Sequence, residues 1–115
     1  MPSTIVYKKW DVVLVSFPFT NFTSDKRRPA VIVSPDSFNS GQDVTIAFVT
    51  SQISSPARIG DCHLKHWQEA GLPKESMVRM KFATIDRSIV IKQFGHLENE
   101  DQLEIRQNLI SFFGS

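Results

Sequence analysis

The sequence predicts a small, mainly β domain, a half-open antiparallel barrel with one helix at its C-terminal end. Three observations predict it. About six short runs rich in β-branched and aromatic residues follow one another along the chain, no helix separates the early runs, and a helical period begins only near the end. This order argues against a βαβ fold. The chain has 115 residues and neither linker nor repeat, so residues 1–115 are read as one domain.

Each predicted strand ends at residues that favour turns. Pro18 follows the first strand, a Ser-Pro-Asp turn follows the second, and Gly95 ends the last. A single helical turn over residues 65–72 has Gly71 as its stop, and Asp86 is placed to cap a turn before the last strand. The predicted strands are residues 11–17, 30–33, 44–50, a short one within 59–64, 76–82 and 89–94.

The C-terminal helix is predicted over residues 99–113, with Asn99 as its N-cap and Gly114 just beyond its end. Its apolar residues fall on one half of a helical wheel, which favours packing against the sheet. The acids of its first turn suit the helix dipole. The apolar positions are Leu103, Ile105, Leu109, Ile110, Phe112 and Phe113.

Composition excludes several classes of protein. Thirteen Lys and Arg against twelve Asp and Glu give a net charge of +1, so only local clustering can argue for nucleic acid. The lone cysteine, Cys62, excludes an intrachain disulfide framework and fits a reducing compartment. No apolar run has the length of a signal peptide core or a membrane span, and the chain is therefore expected to be cytoplasmic, with no membrane partner.

The strongest candidate site is the run Lys26-Arg27-Arg28, followed at once by Pro29. Proline restricts the residue before it to extended conformations, so Arg28 should hold a fixed geometry at the entrance to a strand. Its planar guanidinium matches phosphate oxygens. Upstream aromatic residues, among them Phe19, suggest a platform for single-stranded nucleic acid, with phosphates on the cations and bases on the rings. A solvated loop is the alternative reading.

Two further candidates for this chemistry are weaker. Thr50, Ser51 and Gln52 form a polar cluster directly after an apolar strand, where an ordinary strand end is the default explanation. Arg79 stands within an otherwise apolar strand, and either faces water or points into a ligand groove.

The residues favour no metal and no cofactor. His63 and His66 are three apart, but Gly60 and the alternating pattern around them favour a surface strand over a continuous helix that would hold a metal. His96 reads as a structural hydrogen-bonding residue, and Cys62 as a small buried one. The glycines are too scattered for a phosphate-binding loop.

Taken in order, the motifs resemble the MazF/PemK toxins of bacterial toxin–antitoxin systems. The likeness extends over nearly the whole chain, and it is the ordered set of motifs that is specific. The matching segments are DVVLV at 11–15, FPFT at 17–20, KRRPAVIVS at 26–34, the strand 44–50 with TSQI at 50–53, SMVR at 76–79, TID at 84–86 and FGHL at 94–97.

The resemblance implies an SH3-like barrel that forms a homodimer and cleaves single-stranded RNA without a metal. It also implies a cognate antitoxin protein, with contact to operator DNA only through the antitoxin complex. Arg28 and Thr50 occupy the family's catalytic positions. The predicted RNA-binding residues are Lys26, Arg27, Phe19, Thr20, Ser51, Gln52 and Arg79.

The chain departs from the family pattern at two places. Trp10 precedes Asp11 where the family usually has glycine. No acid precedes Thr84 at the position that some members use for a general base, so the identity of the base stays open. A barrel that binds nucleic acid or a partner without catalysis, or an inactive toxin homologue, remains an alternative function.

Overall fold

A computed structural model of the chain describes residues 5–17, 26–53 and 56–115. The elements alternate short strands with tight turns and end in the one long helix among the described residues. They are β1 (Asp11–Phe17), β2 (Lys26–Ile32), α1 (Asp36–Asn39), β3 (Asp43–Thr50), β4 (Cys62–His63), β5 (Met77–Asp86), a 3₁₀ turn (Arg87–Ile89), β6 (Val90–His96) and α2 (Asn99–Gly114).

The described strands form one antiparallel sheet in the order β4-β5-β3-β2-β1-β6. The edge strands β4 and β6 do not pair with each other, so the sheet curves without closing. The register shifts once between β3 and β5 and twice between β1 and β6, and such bulges increase local bending. The predicted half-open barrel with a C-terminal helix is confirmed.

Apolar residues are buried on both faces of this sheet. Val12, Val31 and Ala47 belong to the cluster that also includes Ile105 of α2, and all four are fully buried. Their neighbours along the strands, such as Val13 and Ile32, belong to a second buried cluster. Because successive strand residues point to opposite faces, near-continuous apolar runs such as residues 30–33 indicate a strand covered on both sides.

The second strand begins earlier than the sequence predicts. β2 starts at Lys26 rather than at residue 30, because Lys26, Arg27 and Arg28 pair with Phe17, Ser16 and Val15 of β1. The three cations therefore belong to a paired strand and not to a loop. Their backbone is fixed by hydrogen bonding as well as by Pro29.

Other element boundaries also differ from prediction. β4 shortens to Cys62–His63. β5 continues through residues 84–86, where Thr84 pairs with Thr45 and their hydroxyl oxygens lie 2.7 Å apart. Asp86 then caps the 3₁₀ turn, as predicted, by accepting a hydrogen bond from the Ser88 amide at 2.9 Å. β6 occupies residues 90–96 rather than 89–94, and the short helix α1 was not predicted.

The long helix lies where predicted, but fewer of its apolar residues are buried. Ile105 is fully buried, whereas Leu103 and Ile110 are exposed. Phe112 and Phe113 pack against Phe82 of β5, with ring centroids 6.0 and 5.2 Å from it. The helix also begins one residue earlier than the cap prediction implies: Glu98 is its N-cap, without a side-chain hydrogen bond, and Asn99 is its first residue. At the other end, Gly114 is the last helical residue and Ser115 the C-cap.

None of the described helices has the length and apolarity that a membrane span requires.

Candidate active site

A cleft of about 430 Å³ opens where β2 begins and β3 ends. This volume falls within the range of roughly 300–1,000 Å³ that is typical of ligand sites. Three segments line it: the start of β2, the end of β3 with its following turn, and the segment that leads into β5. The described lining residues are Lys26, Arg27, Arg28, Pro29, Val49, Thr50, Ser51, Gln52, Leu72, Pro73, Lys74 and Ser76.

Strand pairing brings Arg28 and Thr50 together. β2 and β3 are antiparallel neighbours, and Ala30 pairs with Phe48. Continuing that register by two residues sets Arg28 level with Thr50, beyond the last paired residues, and both line the cleft. A permanently charged guanidinium and a hydroxyl therefore lie at one end of the sheet, where the pairing between β2 and β3 ends.

The turn after β3 orients the polar cluster. The Thr50 hydroxyl oxygen accepts a hydrogen bond from the Gln52 amide at 3.1 Å, which is the local turn that threonine forms readily. A hydroxyl can accept a second hydrogen bond and still donate its own proton, so this contact leaves Thr50 able to bind a ligand. Ser51 and Gln52 are exposed beside it.

The third wall of the cleft, residues 72–76, was not predicted from the sequence. It carries a fourth cation, Lys74, which is exposed. β3 lies between β2 and β5 in the sheet, so this wall and the cations of β2 flank Thr50 from opposite sides. Lys74 lies just before β5, whose first residue pairs with Thr50. Because that pairing cannot be read from the sequence, the sequence gives no signal for Lys74.

The remaining predicted residues divide into two groups. Phe19 and Thr20 lie outside the described residues. Arg79 does not line the cleft: its side chain is 16% exposed, and its Nε lies 3.6 Å from an oxygen of Asp61, whose side chain is 3% exposed. Arg79 thus takes neither of the two predicted orientations, water or groove, but forms a largely buried ion pair beside β4.

The acidic start of α2 is engaged within the protein. The buried Asp101 carboxylate accepts hydrogen bonds from the Lys65 and His66 amides at 3.0 and 2.9 Å. His66 Nε2 lies 2.8 Å from Glu100, and this hydrogen bond raises the pKa of the imidazole and lowers the pKa of the carboxyl. These contacts hold residues 65–66, which precede the third wall, against the helix.

His96 and Cys62 were predicted to have structural roles. His96 Nδ1 lies 2.8 Å from the buried Asp11 carboxylate, which confirms its structural role. Cys62 is buried and donates to Glu104 at 3.0 Å, and burial raises the pKa of this thiol. Within residues 5–17, 26–53 and 56–115, no three His, Cys, Asp or Glu side chains are grouped so as to hold a metal ion.

Comparison with known proteins gives one family match. Residues 8–113 match the model of the PemK-like, MazF-like toxins of type II toxin–antitoxin systems. The match therefore includes all three walls of the cleft. No curated protein sequence matches the chain.

Solved structures share this fold at low identity. One is a MazE–MazF structure from Deinococcus radiodurans, with a TM-score of 0.78 at 22% identity, covering 96% of this chain and 98% of that one. A mycobacterial endoribonuclease in complex with its cognate antitoxin gives 0.73 at 14% identity, covering 96% of each. The Mycobacterium tuberculosis toxin MazF-mt6 gives 0.70 at 18% identity, covering 90% of this chain and 96% of that toxin. At these identities the likeness establishes the fold.

Proposed function

The chain belongs to the PemK-like, MazF-like toxin family of type II toxin–antitoxin systems, and from that premise we propose that it is an endoribonuclease acting on single-stranded RNA. One observation carries the proposal: Arg28 and Thr50, from two adjacent strands, line a single cleft with further cations beside them. The endoribonuclease in complex with its antitoxin, which shares the fold, supports the same reaction class.

The nucleophile comes from the substrate. The ribose 2′-oxygen attacks the adjacent phosphorus while the bond to the 5′-oxygen breaks, leaving a 2′,3′-cyclic phosphate and a 5′-hydroxyl. The 2′-hydroxyl loses a proton and the departing 5′-oxygen gains one, so no net proton or electron is consumed. A metal is not needed to generate the nucleophile, and the protein's task is to orient the attack and stabilise charge on the phosphoryl oxygens.

Arg28 is the principal catalytic residue in this proposal. Its guanidinium clamps the non-bridging oxygens of the scissile phosphate and stabilises the departing 5′-oxygen, whereas its permanent charge makes it a poor base. The Thr50 hydroxyl donates to a phosphoryl oxygen. Among the described lining residues there is no carboxylate and no imidazole, and the proposal therefore assigns the proton of the 2′-hydroxyl to none of these residues.

Lys26 and Arg27 bind flanking phosphates, and Ser51 and Gln52 contact base edges. Phe19 and Thr20 keep their proposed RNA-binding role on the resemblance alone. For Arg79, the ion pair with Asp61 supports a structural role in place of RNA contact.

We also propose that the chain forms a homodimer in the cytoplasm and is held inactive by a cognate antitoxin protein. Family membership and the antitoxin complex with the same fold support this. Growth arrest on induced expression, relieved by co-expression of the neighbouring gene's product, is the expected result.

Cleavage kinetics test the two catalytic roles. In EDTA, Arg28→Ala and Thr50→Val should each lower kcat on single-stranded RNA by about 10²–10³, the effect of losing one preorganised donor at a developing anion. Arg106→Ala, which removes an exposed arginine of α2 that does not line the cleft, is the matched control and should cleave normally. Undiminished cleavage by Arg28→Ala would remove that residue from the mechanism. RNA binding without any product would indicate the non-catalytic alternative.

A further inference from the structure

We propose that Lys74 binds a phosphate of the RNA on the far side of Thr50 from Arg28, so that the strand is held between two cationic walls. The proposal deepens the proposed function and rests on it. It follows from the third wall of the cleft, residues 72–76, for which the sequence patterns predicted no role in binding.

The placement of Lys74 follows from the sheet order. Thr50 pairs with Met77 at the start of β5, so the residues just before Met77 lie beside the end of β3. On the other side of β3 is the start of β2 with its three cations. A strand of RNA with its scissile phosphate at Arg28 and Thr50 would therefore meet Lys74 on its way out of the cleft.

The chain around Lys74 is held in place. Leu72 is buried in the core, and Pro73 has a restricted backbone. The Lys74 carbonyl accepts a hydrogen bond from the Ser76 hydroxyl at 2.7 Å, and the Ser76 carbonyl accepts one from the Leu64 amide at 3.0 Å. The backbone under the lysine is thus anchored on both sides, while its side chain remains exposed.

The turn before this wall is also fixed. Gly71 has a φ of 86°, and the amides of Gly71 and Leu72 donate to the carbonyls of Gln68 and Trp67, which is the Schellman pattern that ends a helical turn. A Cβ atom at Gly71 would lie 2.3 Å from the Phe94 carbonyl oxygen, so this turn packs directly on β6. The wall is consequently part of the rigid fold.

The chemistry of Lys74 suits phosphate binding. Within the described part of the chain, the Lys74 ammonium group forms no ion pair and donates no hydrogen bond, in contrast to Lys65, which pairs with Glu100 at 3.2 Å. An ammonium group on a flexible stem is a point charge that accepts phosphate in many orientations. Lys74 is therefore expected to add affinity without base preference and without acting on the reacting atoms.

Binding as a function of salt tests this role. The probe is a pool of single-stranded RNA methylated at every 2′-oxygen, which lacks the attacking hydroxyl and can be bound but not cleaved. Lys74→Gln should raise Kd about two- to fivefold near 0.15 M salt, and should reduce the slope of log K against log salt by about 0.7, the loss of one phosphate contact. Lys74→Arg should restore both values.

Lys8→Gln is the matched control, because it removes the same charge from an exposed lysine near the opposite end of β2, where the Trp10 amide donates to Ile32. It should leave the slope unchanged. On cleavable RNA, Lys74→Gln should raise KM with kcat within about twofold of wild type, unlike Arg28→Ala. Circular dichroism checks that each variant is folded.

The outcomes separate this inference from the proposed function. A slope for Lys74→Gln equal to that of wild type, or a Kd change matched by Lys8→Gln, overturns the role of Lys74 even if the wild type cleaves RNA. If the wild type binds the pool but cleaves no RNA, the proposed nuclease function is wrong. The salt slope of Lys74→Gln then still shows whether Lys74 contacts a phosphate. A wild type that cleaves RNA but does not bind the pool overturns the role of Lys74 alone, and a wild type that neither binds the pool nor cleaves RNA overturns both.

Discussion

Trp10 is the residue whose conformation departs most from what its side chain favours. It has a φ of 77°, in the left-handed region, and is the one non-glycine residue with positive φ among those described. Its amide donates to Ile32 and its carbonyl accepts from Leu97, so both neighbours hold it there. This explains the glycine that the family usually has at this position. The side chain is 5% exposed and packs in the core, and this packing offsets the backbone strain.

Substitutions at Trp10 should separate strain from packing. Trp10→Ala removes buried packing that contributes about 3–5 kcal/mol to the free energy of unfolding, and it keeps the penalty of the left-handed backbone conformation. Trp10→Gly loses the same packing but also removes that penalty, which is about 1–2 kcal/mol. Both variants should be less stable than wild type, since the lost packing is larger, but Trp10→Gly should be the less damaged of the two. Urea unfolding measures this. A glycine variant less stable than the alanine variant would show that the positive φ carries no strain.

At the residue scale, the sequence supplied some site residues and not others. Pro29 indicated the extended conformation of Arg28, and the resemblance pointed to Thr50. Lys74 was missed because residues 28, 50 and 74 are brought together only by the order of three strands. Arg79 was predicted to bind RNA from its place in an apolar strand and from the resemblance, and its partner Asp61, eighteen positions earlier, gives no sign in the sequence of pairing with it.

At the scale of elements, the turn over residues 65–72 supports the third wall of the cleft. Gly71→Ala places a methyl group against the Phe94 carbonyl in a conformation that alanine avoids. We expect it to lower the free energy of unfolding by more than the roughly 1–2 kcal/mol of the left-handed penalty alone. Gly114→Ala is the control, since a Cβ there meets nothing within 4 Å. Equal urea midpoints for the two variants would contradict this account.

Elements with a strong local signal were the ones predicted well. The stop at Gly71 and the cap at Asp86 depend on neighbouring residues, and both are confirmed. Where a strand begins and ends depends instead on the neighbouring strands that pair with it. β2 reaches back to Lys26 because β1 pairs with it there, and a run of three cations has no intrinsic tendency to form a strand. The apolar pattern of α2 overstated its burial for a similar reason: the sheet beneath it covers Ile105 but leaves Ile110 exposed.

At the scale of the whole molecule, the sheet order is what produces the site. Placing β3 between β2 and β5 puts the end of one strand between the starts of its two neighbours, so Arg28, Thr50 and Lys74 line one cleft at one end of the sheet. The fold class followed from strand-rich periodicity and a single late helix. The order of the strands did not, because contacts between distant segments leave little trace in one sequence.

Analysis of RNA ends tests the central claim most directly. Single-stranded RNA incubated with the wild-type protein in EDTA should yield fragments with 2′,3′-cyclic phosphate and 5′-hydroxyl ends, because the attacking oxygen belongs to the substrate. Arg28→Ala at the same concentration should yield on the order of a hundredth as much or less. The account would be contradicted by wild-type fragments that carry 3′-hydroxyl and 5′-phosphate ends, by cleavage that stops in EDTA, or by equal yields from the two proteins.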